Sequence, residues 1–169
     1  SFRPTYIYGP GNYNMIENWF FERIINCKSV PMPGEGTLIT QLGHVSDLTD
    51  AMILSIHREA ALNNIYNCSG EKGITIKGLI IKCIETCNIN VKDVKIRSFD
   101  YKKLNPKCRK LFPIRLNHYL TSVTKLQDDL GWQPKYDLKE GLKDSFDKDY
   151  RLCNNDSFDP KVDSLLFQS

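Results

Sequence analysis

Six cations stand with no acid between them in "YKKLNPKCRKLFPIR", Tyr101 to Arg115: Lys102, Lys103, Lys107, Arg109, Lys110 and Arg115. Ammonium and guanidinium groups at this density raise a local positive potential that draws in phosphate. The rings of Tyr101, Phe112 and Tyr119 add faces on which bases can stack. Arg115 carries a planar fork that donates two parallel hydrogen bonds to one phosphate. His118, three residues on, stands next to Tyr119 at the edge of this segment. The pattern offers phosphate contacts and stacking faces along Lys102, Lys103, Lys107, Arg109, Lys110, Arg115, His118 and Tyr119. Its plainer reading is a solvated loop whose charge aids solubility.

The net charge of +3 conceals this concentration, because from Leu126 onward ten acids face six bases. Those acids lie at helix-surface spacing, where solvated charge is the default, and no metal site is read from them. The six cysteines are irregularly spaced in a chain of 169 residues, long enough to stabilise itself by burial, so they read as reduced thiols of a reducing compartment. Cys83 and Cys87 share a helix face, but no second pair of ligands stands at zinc spacing. The apolar runs fall far short of the ~20 residues of a bilayer helix, which leaves no membrane partner to expect. No charged-then-apolar leader opens the chain, and any targeting segment is expected outside these residues.

Strands and helices alternate. "RPTYIYGPGNYN", Arg3 to Asn14, runs from a strand into a glycine-proline turn. "NMIENWFFERIINCK" then has helical periodicity, with Asn14 and Glu17 at capping-box spacing. "TLITQLGHV" predicts one strand, and Ser46 or Asp47 a cap for the helix "LTDAMILSIHREA". A strand at "NIYNCSG", a helix at "IKGLIIKCIETCN" and a strand at "VKDVKIRSF" follow. Ser122 is placed to cap "VTKLQDDL", Gly131 to end it, and Trp132 to fold back on the final helix pair. Asp137 with Glu140 opens the last long helix as a second capping box. This order predicts an α/β fold, mainly parallel, over residues 1–150, with an acidic surface tail over 151–169. A parallel strand is normally buried between neighbours, so a strand at Phe2 to Tyr8 calls for partners supplied by earlier residues, and the chain reads as the C-terminal part of a longer protein.

In this order, "RPTYIYGPGNYN", "VPMPGEGT", "GHVSDLTDA", "NIYNCSG" and "LGWQPKYDLKEGL" resemble the C-terminal half of an extended short-chain dehydrogenase/reductase, the class that holds nucleotide-sugar epimerases and dehydratases. Within it, "NWFFERI", "TQLGHVSDL", "NCSGEKGITIKGL" and "FPIRLNHYLTSVTKLQDDLGWQP" are most similar to the chloroplast stem-loop-binding, or plastid mRNA-binding, proteins. The resemblance implies a Rossmann-type fold with a small substrate subdomain, a plastid location, RNA as partner, and divalent-metal-dependent endoribonuclease activity whose catalytic residues it does not place on this chain. It leaves homo-oligomerisation open. The other reading it supports is a nucleotide-sugar epimerase/dehydratase or related oxidoreductase whose catalytic half lies elsewhere. Thr5, Tyr6 and Thr40 would line the substrate cleft. Thr40 stands where the sugar-modifying relatives have a diphosphate-binding arginine, and the aromatic Tyr6 where they commonly have asparagine, so both substitutions favour RNA. Arg115 matches a second family arginine, with His118 in place of the usual acid. His44 is then structural, within a His-Val-x-Asp segment that starts a helix.

NAD(P) would belong to the full-length protein, because these residues contain neither the glycine-rich pyrophosphate turn nor a Tyr-x-x-x-Lys pair. We therefore expect these 169 residues alone to bind no nicotinamide dinucleotide. Calorimetric titration with oxidised and reduced NAD and NADP checks this, and micromolar binding would overturn it.

Overall fold

The computed structural model describes residues 1–14, 16–152 and 161–167. Met15, Cys153 and much of the expected tail, 153–160 and 168–169, fall outside the described residues. The β-branched and aromatic opening forms β1 (Phe2–Pro4) and β2 (Tyr6–Tyr8), divided at Thr5. Gly9 turns the chain at φ +116°, where a Cβ would stand 2.8 Å from His44 Nε2, so both backbone and space demand glycine. Helix α1 (Ile16–Glu22) continues through a π-type turn at Arg23–Cys27 into β3 (Ser29–Pro33). The stretch expected as one strand is two, β4 (Ile39–Thr40) and β5 (Leu42–His44). Gln41 separates them: its side-chain amide donates to the Gly70 carbonyl and accepts from the Thr121 N–H.

The chain continues through α2 (Val45–Ser55), β6 (Tyr66–Cys68), β7 (Ile74–Thr75), α3 (Ile76–Thr86) and β8 (Lys95–Phe99). The one-turn helix α4 (Pro106–Arg109), α5 (Thr124–Leu130), α6 (Leu138–Ser145) and α7 (Lys161–Leu166) complete it. Strands β1 and β6, β2 and β5, and β3 and β8 pair in parallel, while β4 and β7 pair antiparallel over two residues each. The expected mainly parallel α/β architecture is what forms.

Caps explain most helix starts. Asp137 and Glu140 close the predicted capping box of α6, and Gly131 ends α5 at φ 66° with its N–H on the Gln127 carbonyl. Ser122 Oγ accepts from the Thr124 N–H, but α5 begins after Val123 with no side-chain cap, so Ser122 does not cap it as expected. Two further expectations fail. Helix α2 is capped by His44, whose Nδ1 accepts from the Ser46 N–H at 3.3 Å, and not by Ser46 or Asp47. Asp47 is buried and receives the N–H groups of Lys135 and Tyr136. Nor does Glu17 reach back to Asn14: it is buried and accepts from the Gly9 N–H and the Ser145 hydroxyl. In both cases a tertiary donor replaced a local one.

The larger core packs Phe20, Phe21, Ile24, Val30, Ile80 and Ile84 between α1, α3 and β3. The smaller one gathers Ala51, Tyr66, Cys68, Leu126, Leu130 and Trp132. Trp132 is 1% exposed and donates its Nε1–H to the Asp47 carbonyl at 3.0 Å. It therefore seals α5 against α2 and β6, where the sequence had placed it on the final helix pair. Within the tail, Asp163 takes two guanidinium nitrogens of buried Arg23, and Leu166 enters the larger core. Trp132→Ala is expected to cost about 3–5 kcal/mol, through the cavity and the lost hydrogen bond, and to lower the melting temperature accordingly. Thermal denaturation checks it, and an unchanged transition with weakened RNA binding would instead make the ring a ligand platform.

Candidate nucleic-acid interface

The segment carrying the basic residues is pinned from below by apolar anchors. Leu104, Phe112 and Ile114 are buried, and the Leu111 carbonyl accepts the Trp19 indole N–H. Phe112 meets Trp19, Phe20 and Phe99 ring to ring, so it is a core residue and offers no face to a base. Tyr101 is half-buried and lines a 450 Å³ cavity with Pro33, Leu38, Phe99 and Lys102.

The six cations differ in what they are free to do. Lys103 lies 3.4 Å from Asp100, an acid just upstream of the segment. Backbone and lysine donors hold the Asp100 carboxyl below its ordinary range, with the Lys102 N–H foremost. Arg109 spends its Nε on the Leu104 carbonyl and a terminal nitrogen on the Lys102 carbonyl, tying its own loop together. Lys102, Lys107 and Lys110 are exposed, and their ammonium groups make no hydrogen bond or ion pair among the described residues, though the Lys102 charge also acts on Asp100. Asn105 caps α4 by accepting from the Lys107 and Cys108 N–H groups, which fixes the turn that carries Lys107 and Lys110.

Arg115 stands with a different set. Its N–H donates to the Tyr6 hydroxyl at 2.7 Å, and its guanidinium lies 5.0 Å from the centre of the Tyr119 ring. Tyr6 meets Tyr119 edge to face at 5.6 Å. The Tyr119 N–H bonds the Ile39 carbonyl, and the Ile39 N–H donates to His118 Nδ1 at 3.1 Å. Edge strand β4 thus holds His118 and Tyr119 by its backbone, and His118 in its neutral form carries its proton on the outward Nε2. Burial pushes the Tyr6 phenol up, against the Arg115 N–H bond that lowers it, so it remains a neutral acceptor. The result is a ledge of one guanidinium, two phenol rings and an imidazole.

Of the cleft residues, Tyr6 belongs to this ledge. Thr5 is half-buried and shares a hydroxyl–hydroxyl hydrogen bond with Ser69. Thr40 is 1% exposed and its hydroxyl has no partner, so it lies beneath the surface and does not line it. Among the described residues no group of three or more His, Cys, Asp or Glu side chains is gathered where a metal could sit, and no helix is long and apolar enough to cross a membrane.

A second polar centre escaped the sequence. His44 is buried beneath the stacked ring of Tyr136 at 3.9 Å and edge-on to Tyr8, with Nε2 3.5 Å from Asp144 Oδ2. Burial lowers its pKa, and Asp144 only partly opposes this. Nearby, Glu17 Oε2 has no partner. Desolvation raises the Glu17 pKa despite the Ser145 and Gly9 bonds that favour the charged form. The partners stand 100 residues apart for His44 and Asp144 and 128 apart for Glu17 and Ser145, so no local pattern could have joined them.

Comparison with known proteins places this geometry among relatives. The GDP-mannose 4,6-dehydratase family profile matches residues 17–145. The chain is 41% identical over 153 residues to the chloroplast stem-loop binding protein of 41 kDa b of Arabidopsis thaliana, covering 89% of this chain and 39% of that protein. It is 29% identical over 156 residues to a probable GDP-L-fucose synthase 1 of Oryza sativa subsp. japonica, covering 86% and 43%. Among solved structures, dTDP-glucose 4,6-dehydratase from Bacillus anthracis in complex with NAD superposes with a TM-score of 0.70 at 19% identity, over 90% of this chain and 44% of that one. UDP-glucose 4-epimerase from Thermotoga maritima with UDP-glucose does so with 0.70 at 22% identity, over 89% and 45%. The chain spans less than half the length of each of these relatives.

The buried acid supplies a prediction of its own. Because the folded-state pKa of Glu17 is raised, the folded protein holds a proton that the unfolded chain releases above its own carboxyl pKa, and this contribution to stability is lost as pH rises through the folded value. Relative to Glu17→Gln, the wild-type chain is expected to lose ground in melting temperature from pH 4 towards pH 8. A difference that does not change with pH would show that Glu17 titrates as a solvated carboxyl.

Proposed function

This chain belongs to the GDP-mannose 4,6-dehydratase family of the extended short-chain dehydrogenase/reductases, and we propose that within it the chain is part of an RNA-binding protein of plastids. The observation that carries the reading is the 41% identity to the chloroplast stem-loop binding protein, against 29% to the fucose synthase. The geometry supports it independently. Lys102, Lys107 and Lys110 present uncommitted ammonium groups, and Arg115 brings a guanidinium beside the Tyr6 and Tyr119 rings. Phosphates meet the lysines, and an unpaired base stacks at the Arg115–Tyr119 ledge, where His118 Nε2–H donates to an acceptor on it. The target is stem-loop or single-stranded RNA.

The family profile favours a second reading, a nucleotide-sugar epimerase or dehydratase. Thr40 speaks against it, since a buried hydroxyl stands where the sugar-modifying relatives would place a diphosphate-binding arginine. An NAD(P) site, where there is one, would lie in the full-length protein. The glycine turn and the Tyr-x-x-x-Lys pair are not among these residues.

Four phosphate contacts, from Lys102, Lys107, Lys110 and Arg115, give a log–log salt slope of about −3, at roughly −0.7 per contact for single strands. Filter or anisotropy titrations across salt concentrations measure it. Lys107→Ala or Lys110→Ala is expected to weaken binding more than Lys103→Ala, whose ammonium already faces Asp100, and Tyr119→Ala to cost about 1–3 kcal/mol. An affinity independent of salt, or an unchanged affinity after charge reversal of Lys102, Lys107 and Lys110 together, would overturn the proposal.

A further inference from the structure

A cavity of about 600 Å³ opens between the loop that follows β6, helix α3 and the strip leading into α6, and none of the Arg115–Tyr119 ledge lines it. Space of this size takes small molecules. Its walls are set by the fold before any ligand arrives. The Asp47 carboxylate holds the amides of Lys135 and Tyr136, and the capping box fixes Asp137 to Glu140. On the opposite wall, the Gly70 N–H bonds the Leu42 carbonyl, and the Gln41 side-chain amide bonds the Gly70 carbonyl. Little of the site has to be ordered on binding, which favours affinity.

Leu42, Ile74 and Leu138 give the cavity apolar sides, and Tyr136 adds a ring with one face already stacked on His44. Tyr8, 2% exposed, lines it too, and its hydroxyl has the Asp137 carbonyl as its one acceptor among the described residues, at 3.5 Å. A formed O–H···O bond is about 2.5–3.0 Å long, so this donor is close to unsatisfied. Burial, with Glu17 and Asp47 adding to it, pushes the phenol pKa up and keeps the proton in place. A buried donor in that state gains from any acceptor that reaches it.

The charged groups around the mouth are mostly committed. Asp137 and Glu140 accept each other's backbone N–H groups, and Glu71 accepts from the Gln127 side chain. Lys82 pairs with Glu85, and Lys135 with Asp50. Lys72 and Lys139 are exposed and make no hydrogen bond or ion pair among the described residues. Two open ammonium groups suit an anion, while three neighbouring carboxylates would repel a doubly charged one. We propose that this cavity binds a small carboxylic acid with a flat, apolar body and a carbonyl oxygen at its far end. The carbonyl accepts from the Tyr8 hydroxyl, the body lies along Tyr136, Leu42 and Ile74, and the carboxylate meets Lys72 and Lys139 at the mouth. The site goes beyond the RNA reading and does not rest on it.

The test titrates the protein with 4-acetylbenzoate, followed by ligand-observed saturation-transfer NMR and calorimetry. Binding is expected with a dissociation constant of about 1 mM or below, the range that per-atom limits set for so small a ligand. 4-Acetylbenzamide, which lacks the charge, and 4-ethylbenzoate, which lacks the carbonyl, are each expected to bind about three- to ten-fold more weakly. Lys72→Gln with Lys139→Gln is expected to abolish the preference for the benzoate over the benzamide, and Tyr8→Phe the preference for acetyl over ethyl. Both lysines are exposed, so the lysine variant stays readable if Tyr8→Phe fails to fold. No binding at several times that concentration, equal affinity for the charged and neutral probes, or a lysine variant that keeps the preference would overturn the proposal. Displacement of the probe by RNA would overturn it as well, by making the cavity part of the nucleic-acid interface.

Discussion

The buried carboxylate of Asp47 holds the C-terminal third of the described residues in place. It accepts the N–H groups of Lys135 and Tyr136, 88 and 89 residues away, while its own carbonyl takes the Trp132 indole. Two consecutive backbone donors on one carboxylate fix the direction of the 132–136 strip as well as its position. Everything downstream follows from that direction. Tyr136 lands on His44, Asp137 begins α6 at its capping box, and α6 carries Asp144 to His44 and Ser145 to Glu17. With the carboxylate removed, two amides would lie near the core without an acceptor, a cost of about 1–3 kcal/mol each.

Glu17 and His44 show the opposite use of a buried polar group. Each has one side hydrogen-bonded and one atom without a hydrogen bond among the described residues, Glu17 Oε2 and His44 Nε2, the latter 3.5 Å from the Asp144 carboxylate. Burial shifts both towards the neutral form, raising the acid and lowering the base. The helix and turn around them, with Gly9 open at positive φ and Gly141 under the Tyr8 hydroxyl, leave no room for a residue with a Cβ. This centre ties the β2 turn, α1 and α6 together.

The proposed interface combines two kinds of surface. The lysine-bearing loop is anchored by Leu104, Phe112 and Ile114 but keeps its ammonium groups in solvent, which suits contacts that position a backbone without reading it. The Arg115–Tyr119 ledge is tied to β4 and Tyr6 through backbone hydrogen bonds, which suits a contact that must be held in one geometry. The family scaffold supplies the parallel strand pairs beneath both, and the same scaffold in sugar-modifying relatives shows that fold alone does not choose the ligand.

Local chemistry made much of this legible in the sequence. The capping box at Asp137 and Glu140, the left-handed stop at Gly131, the alternation of strands and helices and the kinship of the ordered motifs all depend on residues within a few positions of one another, and each stands in the structure as read. What tertiary structure alone decided are the contacts between distant segments. Asp47 left its expected cap for the amides at 135 and 136, and Glu17 turned from Asn14 to Ser145. Phe112 sank into the core instead of offering a stacking face. The physical reason is common to all of them. A side chain near a backbone donor in sequence has a local use that spacing reveals, but burial makes the strongest available donor decisive, and which donor that is depends on where the chain returns.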